Sequence, residues 1–246
     1  MEIWIYTIIS VLAVSIISLI GIFTIGINEK KLRRILIYLV SFSAGALLGD
    51  AFLHLLPETF EEYGFGVNIA LYVLCGIAFG LITEKIICWR HCHIPTSESH
   101  VHPVAIMNLV GDSIHNLIDG IIIGASYLVN VQTGVATTLA VIFHEIPQEM
   151  GDFGILLHGN FTKKKALVAN FLTSLTAICG AVIALAISYF TESIIIFLVP
   201  FAAGTFVYIA AADLIPEMHK GQFDLKNAVM QLFFFALGII VMIMLL

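Results

Sequence analysis

The sequence has 246 residues, of which 60% are hydrophobic and only 11% are charged, and its formal net charge is −6. Soluble domains carry roughly 25% charged residues, and disordered chains are poor in apolar residues, so both classes are excluded. The composition predicts a polytopic membrane protein, and the negative charge argues against a nucleic-acid partner.

Eight apolar segments are each long enough to cross a bilayer as a helix. In chain order, spans 1 to 8 cover about residues 3–26, 35–57, 67–88, 104–129, 134–158, 166–190, 194–217 and 226–246. They use most of the chain, so we expect an all-α fold and a single transmembrane domain over 1–246.

The positive charges predict the orientation of these spans. All eleven Lys and Arg residues fall in or beside the loops after spans 1, 3, 5 and 7. Cytosolic loops carry an excess of Lys and Arg, so both termini are expected on the non-cytosolic side. The longest loop, 89–103, is then cytosolic and rich in histidine. Its His91, Cys92, His93, His100 and His102 are either weak metal ligands or part of a solvated linker.

An internal repeat links spans 2 and 7. Residues 42–58 (FSAGALLGDAFLHLLPE) and 201–217 (FAAGTFVYIAAADLIPE) align without gaps at an offset of 159, with seven identities in seventeen positions. Spans five apart cross the membrane in opposite directions, so the alignment indicates an inverted repeat, as in many secondary transporters. The alternative is chance similarity between two helix ends.

Polar groups are concentrated in spans 4 and 5. They are Asp112, His115, Asn116 and Asp119 in span 4, and His144, Glu145, Gln148, Glu149 and Asp152 in span 5. Ionisable groups inside a bilayer are costly and usually functional. Neither span contains Lys or Arg, so a divalent metal ion is the expected counter-charge.

The spacing of these groups favours a shared metal site. His115 and Asp119 are separated by four residues and lie on one helix face. Asp112 joins that face, and the pairs His144/Gln148 and Glu145/Glu149 repeat the spacing in span 5. Imidazole with carboxylate suits zinc and iron. The alternative is a buried polar network that only joins helices.

Three further features bear on span packing. Pro147 cannot donate a hydrogen bond to Phe143 O, so we expect a kink in span 5 and a free carbonyl that binds water or a ligand. Asp50 with His54 in span 2, and Asp213 in span 7, are either helix contacts or part of a path to the site.

Several of these stretches resemble the Zrt-/Irt-like (ZIP) metal transporter family. HNLIDG (115–120) resembles its HNxxDG motif, and HEIPQEMGD (144–152) resembles the HExPHExGD motif of its zinc-transporter subfamily. HLLPE (54–58), YIAAADLIPEM (208–218) and NFLTSLTA (170–177) are also similar to the family. The resemblance extends from about residue 40 onward. It implies eight transmembrane helices in an inverted 3+2+3 repeat, and metal movement into the cytosol.

The resemblance also implies a ligand set. His115, Asp119, His144 and Gln148 match one metal site, Asn116, Asp119, Glu145 and Gln148 match an adjacent one, and Asn170 of span 6 is a further candidate. The subfamily has His where this chain has Gln148. An amide oxygen is a weaker ligand, so the change lowers affinity, shifts selectivity towards iron or manganese, or prevents a two-metal centre.

The sequence therefore predicts a transporter that moves divalent metal ions, Zn²⁺ first and Fe²⁺ or Mn²⁺ as alternatives. The ion is drawn to the acidic loop that carries Glu58, Glu61 and Glu62. No GxxxxGK phosphate loop occurs, so we expect no ATP coupling and no organic cofactor. The expected partners are metal ions and the lipid bilayer of the plasma membrane or a secretory-pathway organelle. Small residues on spans 2, 3 and 7 pack either within the chain or in a homodimer.

Two other functions fit the same residues less well. An intramembrane zinc metalloprotease would use HExxH with Glu as general base, but Gln148 stands in place of the second His and Pro147 interrupts the motif. A non-transporting metal sensor or partner subunit is the third reading, and Gln148 is its support.

Overall fold

The computed structural model describes residues 2–26, 29–89, 103–159, 161–188, 193–219 and 225–246, and the regular structure of these residues is helical. The α-helices are α1 (Glu2–Ile17), α2 (Glu29–Asp50), α3 (Leu56–Tyr63), α4 (Val67–Trp89), α5 (Pro103–Val129), α6 (Val131–His158), α7 (Lys163–Ser174), α8 (Thr176–Ser188), α9 (Ser193–Tyr208), α10 (Ile215–Met218) and α11 (Leu225–Ile243). A 3₁₀ segment, Ser18–Gly26, continues α1, and π-helical segments Ala51–Leu55 and Ile209–Leu214 follow α2 and α9. The predicted all-α membrane fold is confirmed.

Six stretches of the described chain are long and apolar enough to cross a membrane. They are Glu2–Ile22, Ile35–Tyr63, Val67–Lys85, Lys163–Ser188, Ile195–Met218 and Leu225–Ile243, which correspond to predicted spans 1, 2, 3, 6, 7 and 8. Helices α5 and α6 have 27 and 28 residues and are about 40 Å long, but they carry the polar residues of spans 4 and 5. The count of eight spans stays a prediction.

The bundle is built around α5 and α6, which pack against each other. Helix α8 packs on α5, α2 packs on α6, and α4 and α11 pack on α9 and α2. Fully buried apolar side chains, including Leu47, Ile122, Val141 and Phe206, fill the core between the inner helices. Little of α4 or α11 is buried in the described part of the chain, as expected of outer helices that face lipid.

Glycines allow the outer helices to approach the inner ones closely. At four positions in these two helix pairs, a side chain would collide with a backbone carbonyl of the neighbouring helix. The pairs are Gly45 with Phe235 and Gly238 with Phe42, between α2 and α11, and Gly204 with Val73 and Gly76 with Phe201, between α9 and α4. Gly45 aligns with Gly204 in the sequence repeat, and Phe42 aligns with Phe201. The two helix pairs therefore use equivalent contacts.

Two more correspondences follow the same 159-residue offset. Ser15 Oγ donates to Ser174 O at 2.9 Å, and Ser174 Oγ lies 3.2 Å from Ser15 O. The π-helical segments Ala51–Leu55 and Ile209–Leu214 also occupy aligned positions of the repeat. The inverted repeat stays a prediction, and these contacts are the structural observations that favour it.

Span 6 is divided, although the sequence predicts one continuous segment. Helix α7 ends at Ser174 and α8 begins at Thr176, with a turn at Leu175 between them. Thr176 Oγ1 donates to Ser113 O of α5 at 2.7 Å. Discontinuous spans are common beside transporter binding sites, and this break lies against the polar stretch of α5.

The carbonyl left free by Pro147 is occupied by a side chain. Helix α6 continues through Pro147, and Ser43 Oγ of α2 lies 2.6 Å from Phe143 O. A hydroxyl from a neighbouring helix therefore lies within hydrogen-bond distance of this carbonyl, and binding of water or a ligand there stays a prediction.

His91, Cys92, His93, His100 and His102 of the long loop lie outside the described residues.

Candidate metal centre

Four predicted ligands meet at the interface between α5 and α6. His115 and Asp119 come from α5, and His144 and Glu145 come from α6. The two Nε2 atoms are 3.1 Å apart. His115 Nε2 lies 3.5 Å from Asp119 Oδ2 and 3.2 Å from Glu145 Oε1, and His144 Nε2 lies 3.2 Å and 3.5 Å from the same oxygens.

These distances match the edges of a tetrahedral metal site. Zinc binds imidazole nitrogen and carboxylate oxygen at roughly 2.0–2.1 Å, so neighbouring ligand atoms in a tetrahedron are about 3.3–3.4 Å apart. The five measured separations lie between 3.1 and 3.5 Å. The four side chains can therefore hold one zinc-sized ion with little rearrangement.

The orientation of His144 suits a metal ligand. Its Nδ1 lies 3.2 Å from Ala140 O, and a carbonyl oxygen only accepts, so the Nδ1 nitrogen carries the proton. In the neutral ring, the Nε2 atom is then unprotonated and presents its lone pair to the centre. This arrangement, in which the second ring nitrogen bonds to a carbonyl, is typical of metal-binding histidines.

The buried carboxylates of the centre favour a bound cation. Asp119, His144 and Glu145 are at most 1% exposed. Both oxygens of Asp119 and Oε1 of Glu145 have no hydrogen-bond partner among the described residues. At 3.2–3.5 Å, Asp119 Oδ2 and Glu145 Oε1 face the two imidazoles, which balance their charge only when protonated. A buried carboxylate without a fixed charge partner costs on the order of several kcal/mol, so a bound divalent ion would stabilise this arrangement.

One ligand of the centre is open to a cavity. The His115 side chain is 21% exposed and lines a cavity of about 380 Å³. Other lining residues are Asn108, Asp112, Gln148, Asp152 and Glu217. Asn108 is near the start of α5 and Asp152 near the end of α6, so the cavity lies towards the loops that the basic residues predict to be cytosolic.

The remaining predicted ligands form a separate group one helical turn away. Ligand oxygens of Asp112, Glu149 and Asp152 all lie within 4.8 Å of one another. Asn116 Nδ2 donates to Asp112 Oδ1 at 2.8 Å, and Asn170 Nδ2 donates to Glu149 Oε2 at 2.6 Å. The structure thus divides the predicted set into two groups, and Asn116 and Asn170 contact the second.

Gln148 stays a predicted ligand. It is half-buried and lines the cavity beside His115, and the four-residue centre is complete without its amide. Glu145, which the resemblance implies only for the second site, takes part in the first. The four candidate ligands therefore come together despite the Gln at this position.

The sequence reasoning missed Thr173 of α7. Its Oγ1 lies 2.5 Å from Asp112 Oδ2 and connects span 6 to the second group. The signal was present in the stretch 170–177, where Asn170 and Thr173 are three residues apart and so share a helix face.

Asp50 and His54 join neither group. Thr137 Oγ1 donates to Asp50 Oδ2 at 2.9 Å, and His54 Nδ1 lies 3.5 Å from Asp50 Oδ1. Both residues are buried in span 2, and Asp50 contacts α6 two helical turns before His144.

Comparisons with known proteins identify the family of this chain. The family model described as ZIP zinc transporter matches residues 1–103 and 91–246. The Caenorhabditis briggsae protein named zinc transporter zipt-7.1 is 29% identical over 89% of this chain and 70% of its own length. Zinc transporter ZIP13 of Mus musculus is 30% identical over 84% of this chain and 69% of its own length.

Other relatives are longer than the region they share with this chain. The chain spans 65% of the length of zinc transporter ZIP13 of Pongo abelii, at 33% identity, and 18% of the length of zinc transporter ZIP10 of Homo sapiens, at 35% identity. The family model nevertheless covers the whole sequence, and its matches include every residue of the two polar groups. The chain belongs to the ZIP zinc transporter family.

Proposed function

We propose that this chain is a secondary transporter that moves divalent metal ions, Zn²⁺ first, across a membrane into the cytosol. Its relatives are named zinc transporters. The observation that carries the proposal is the four-ligand group His115, Asp119, His144 and Glu145, whose separations fit a tetrahedral ion. Imidazole and carboxylate ligands also accept Fe²⁺ and Mn²⁺, which are proposed as secondary substrates.

The ion leaves the centre on the side of His115. The other three ligands are almost fully buried, whereas His115 faces the cavity near the start of α5 and the end of α6. On the opposite side, buried apolar residues such as Ile122, Val141 and Val199 close the bundle. The conformation is therefore inward-facing in the proposed orientation, and transport requires a movement of helices that opens the other side.

The outer surface attracts the ion in this proposal. Glu61 and Glu62 are exposed at the end of α3 and remain available to a hydrated cation. Glu58 is half-buried and accepts hydrogen bonds from Asn130 Nδ2 at 2.9 Å and Thr133 Oγ1 at 3.2 Å. Its carboxylate also joins span 2 to the start of α6, so only part of its charge is directed to solvent.

The topology, the membrane and the oligomeric state are part of the same proposal. The chain forms one transmembrane domain, with both termini on the non-cytosolic side of the plasma membrane or a secretory-pathway organelle. A homodimer remains a proposal to be tested by the mass of the solubilised protein. The glycines of spans 2, 3 and 7 give it no support, because Gly45, Gly76 and Gly204 pack within the chain.

The two alternative functions, a protease and a sensor or partner subunit, are separated from a transporter by family membership and by metal flux. Family membership places the chain with transporters and not with enzymes, which disfavours an intramembrane protease. A sensor or partner subunit would bind the ion at the same four residues without moving it. Flux through the isolated chain separates that reading from transport.

The test is metal entry into liposomes that contain the purified chain and a trapped zinc-sensitive dye. We expect zinc entry in the wild type and none above the empty-liposome rate in His115→Ala/His144→Ala. His219→Ala, which changes an exposed histidine beyond α10, serves as the control and should match the wild type. Parallel runs with Fe²⁺ and Mn²⁺ rank the substrates. Equal flux in the wild type and the double variant would overturn the proposal.

A further inference from the structure

Residues 244–246 cross from the outer helix α11 to the start of α6. The chain turns at the end of α11, where Leu245 N donates to Met242 O at 3.1 Å. Gln132 Nε2 of α6 donates to Leu245 O at 2.8 Å and also to Leu246 O. Because α11 packs on α2, residues 244–246 connect that helix pair to α6, and we call them the strap.

A buried polar pair lies under the strap. Asp50 and His54 of span 2 are 0% and 4% exposed, and the backbone of Leu245 lies against the His54 ring. Both ring nitrogens of His54 and Oδ1 of Asp50 have no hydrogen-bond partner of normal geometry among the described residues. Buried polar groups without partners cost free energy, so water would stabilise this pair if the strap moved away.

The strap itself is weakly held. Leu245 is half-buried and packs against the apolar core, whereas Met244 and Leu246 are exposed. Gln132 is exposed as well, so water competes for its two hydrogen bonds to the strap. Segments with few buried contacts and solvent-exposed hydrogen bonds open locally at low free-energy cost.

The strap covers the pair from the non-cytosolic end of the bundle in the proposed orientation. Thr137, which donates to Asp50, precedes His144 by two helical turns, and Val141 of the closing apolar residues lies between them. His54 is one turn further along span 2, towards Glu58 at the start of α3. The pair therefore lies outside the apolar layer and inside the strap.

We propose that the strap is a lid on the non-cytosolic side, which covers Asp50 and His54 and opens before an ion can reach them. Opening breaks the hydrogen bonds from Gln132, withdraws Leu245 from the core and admits water to the polar pair. The role in ion entry rests on the proposed transport function. The opening itself is a property of the fold, and it can be measured without any metal.

The test measures how fast a thiol at position 54 reacts in the purified full-length chain in detergent. His54→Cys is introduced into a variant without its native cysteines, and labelling by a cationic methanethiosulfonate is followed by mass spectrometry. We expect slow labelling while the strap is intact. Gln132→Ala should accelerate it at least about fivefold, because both hydrogen bonds to the strap are lost. Leu245→Ala, which removes the core contact, should accelerate it as well.

Gln231→Ala is the matched control. It removes a comparable bond, from Gln231 Nε2 to Met218 O at 3.0 Å, at the opposite end of α11, so labelling at position 54 should be unchanged. A second control is Glu62→Cys, whose thiol replaces an exposed side chain of α3. It should label rapidly, and at the same rate with and without Gln132→Ala.

Three results would overturn the lid. They are labelling at position 54 as fast as at position 62 with the strap intact, an unchanged rate in Gln132→Ala, and an equal acceleration by Gln231→Ala. Zinc flux in liposomes separates this proposal from the transport function. Strap-dependent labelling in a chain without flux would contradict transport alone, whereas flux with strap-independent labelling would contradict the lid alone.

Discussion

At the scale of single residues, Ser43 of α2 shows how a hydroxyl can stand in for a missing backbone donor, and Ser41 of the same helix provides the comparison. Ser41 and Ser43 are both completely buried, and each lies within hydrogen-bond distance of the carbonyl four residues before it. Only Ser43 also reaches Phe143 O, the carbonyl that Pro147 leaves without a donor. The Ser43 hydroxyl therefore connects α2 to α6 next to the candidate metal centre, because Phe143 is the residue before His144.

The two serines form a matched pair of variants. Ser43→Ala leaves a buried carbonyl unsatisfied and should destabilise the protein by about 1–3 kcal/mol. Ser41→Ala removes only a bond within its own helix, so its effect should be clearly smaller. Thermal unfolding of both variants in the same detergent measures the difference. Equal melting temperatures would show that the contact between Ser43 and Phe143 contributes nothing to stability.

At the scale of helices, close approach depends on glycine at the contacts between inner and outer helices. In membranes, small residues bring backbones together because packing rather than hydrophobicity drives association. Gly45 and Gly204 face the carbonyls of Phe235 and Val73. The inner helices α2 and α9 each hold one outer helix in this way, which leaves their other faces free to pack around α5 and α6.

The glycine contacts predict a position-specific effect of alanine. Gly45→Ala and Gly204→Ala place a methyl group on a backbone carbonyl, so the helices must separate and the melting temperature should fall in both. Gly154→Ala in α6 meets nothing within 4 Å and should stabilise the helix by about 0.5–1 kcal/mol. A fall in all three melting temperatures, or in none, would contradict this account of the helix contacts.

At the scale of the whole molecule, the basic loops and the cavity indicate the same polarity. The Lys and Arg residues mark the loops beyond the start of α5 and the end of α6, and the cavity beside His115 lies at those helix ends. The centre is therefore connected to the side predicted to be cytosolic. This arrangement is the one expected after an ion has been delivered inward.

Cysteine labelling tests the polarity. In a variant without its native cysteines, Glu62→Cys should react with a membrane-impermeant maleimide only on the non-cytosolic face. Lys164→Cys should react only on the cytosolic face, because three predicted spans separate the two positions. Sealed membrane vesicles of known orientation provide the measurement. Reaction of both cysteines on one face would contradict the three crossings, including those of α5 and α6.

The sequence predicted what depends on local pattern. Apolar segment length predicted the helices, and spacing by four residues predicted that His115 and Asp119 share a face. It could not predict that Glu145 lies within ligand distance of His115, Asp119 and His144, because that depends on how α6 is rotated against α5. The break at Leu175 and the bond from Ser43 to Phe143 were also missed, since both depend on contacts between helices far apart in the sequence.

The most direct test of the central claim is zinc X-ray absorption spectroscopy on the chain loaded with one equivalent of Zn²⁺. We expect four nitrogen or oxygen ligands at roughly 2.0–2.1 Å, with outer-shell scattering from two imidazoles, His115 and His144. In His144→Ala, the scattering should fall to that of one imidazole. A six-coordinate shell of oxygen atoms without imidazole scattering would contradict the assignment of this centre.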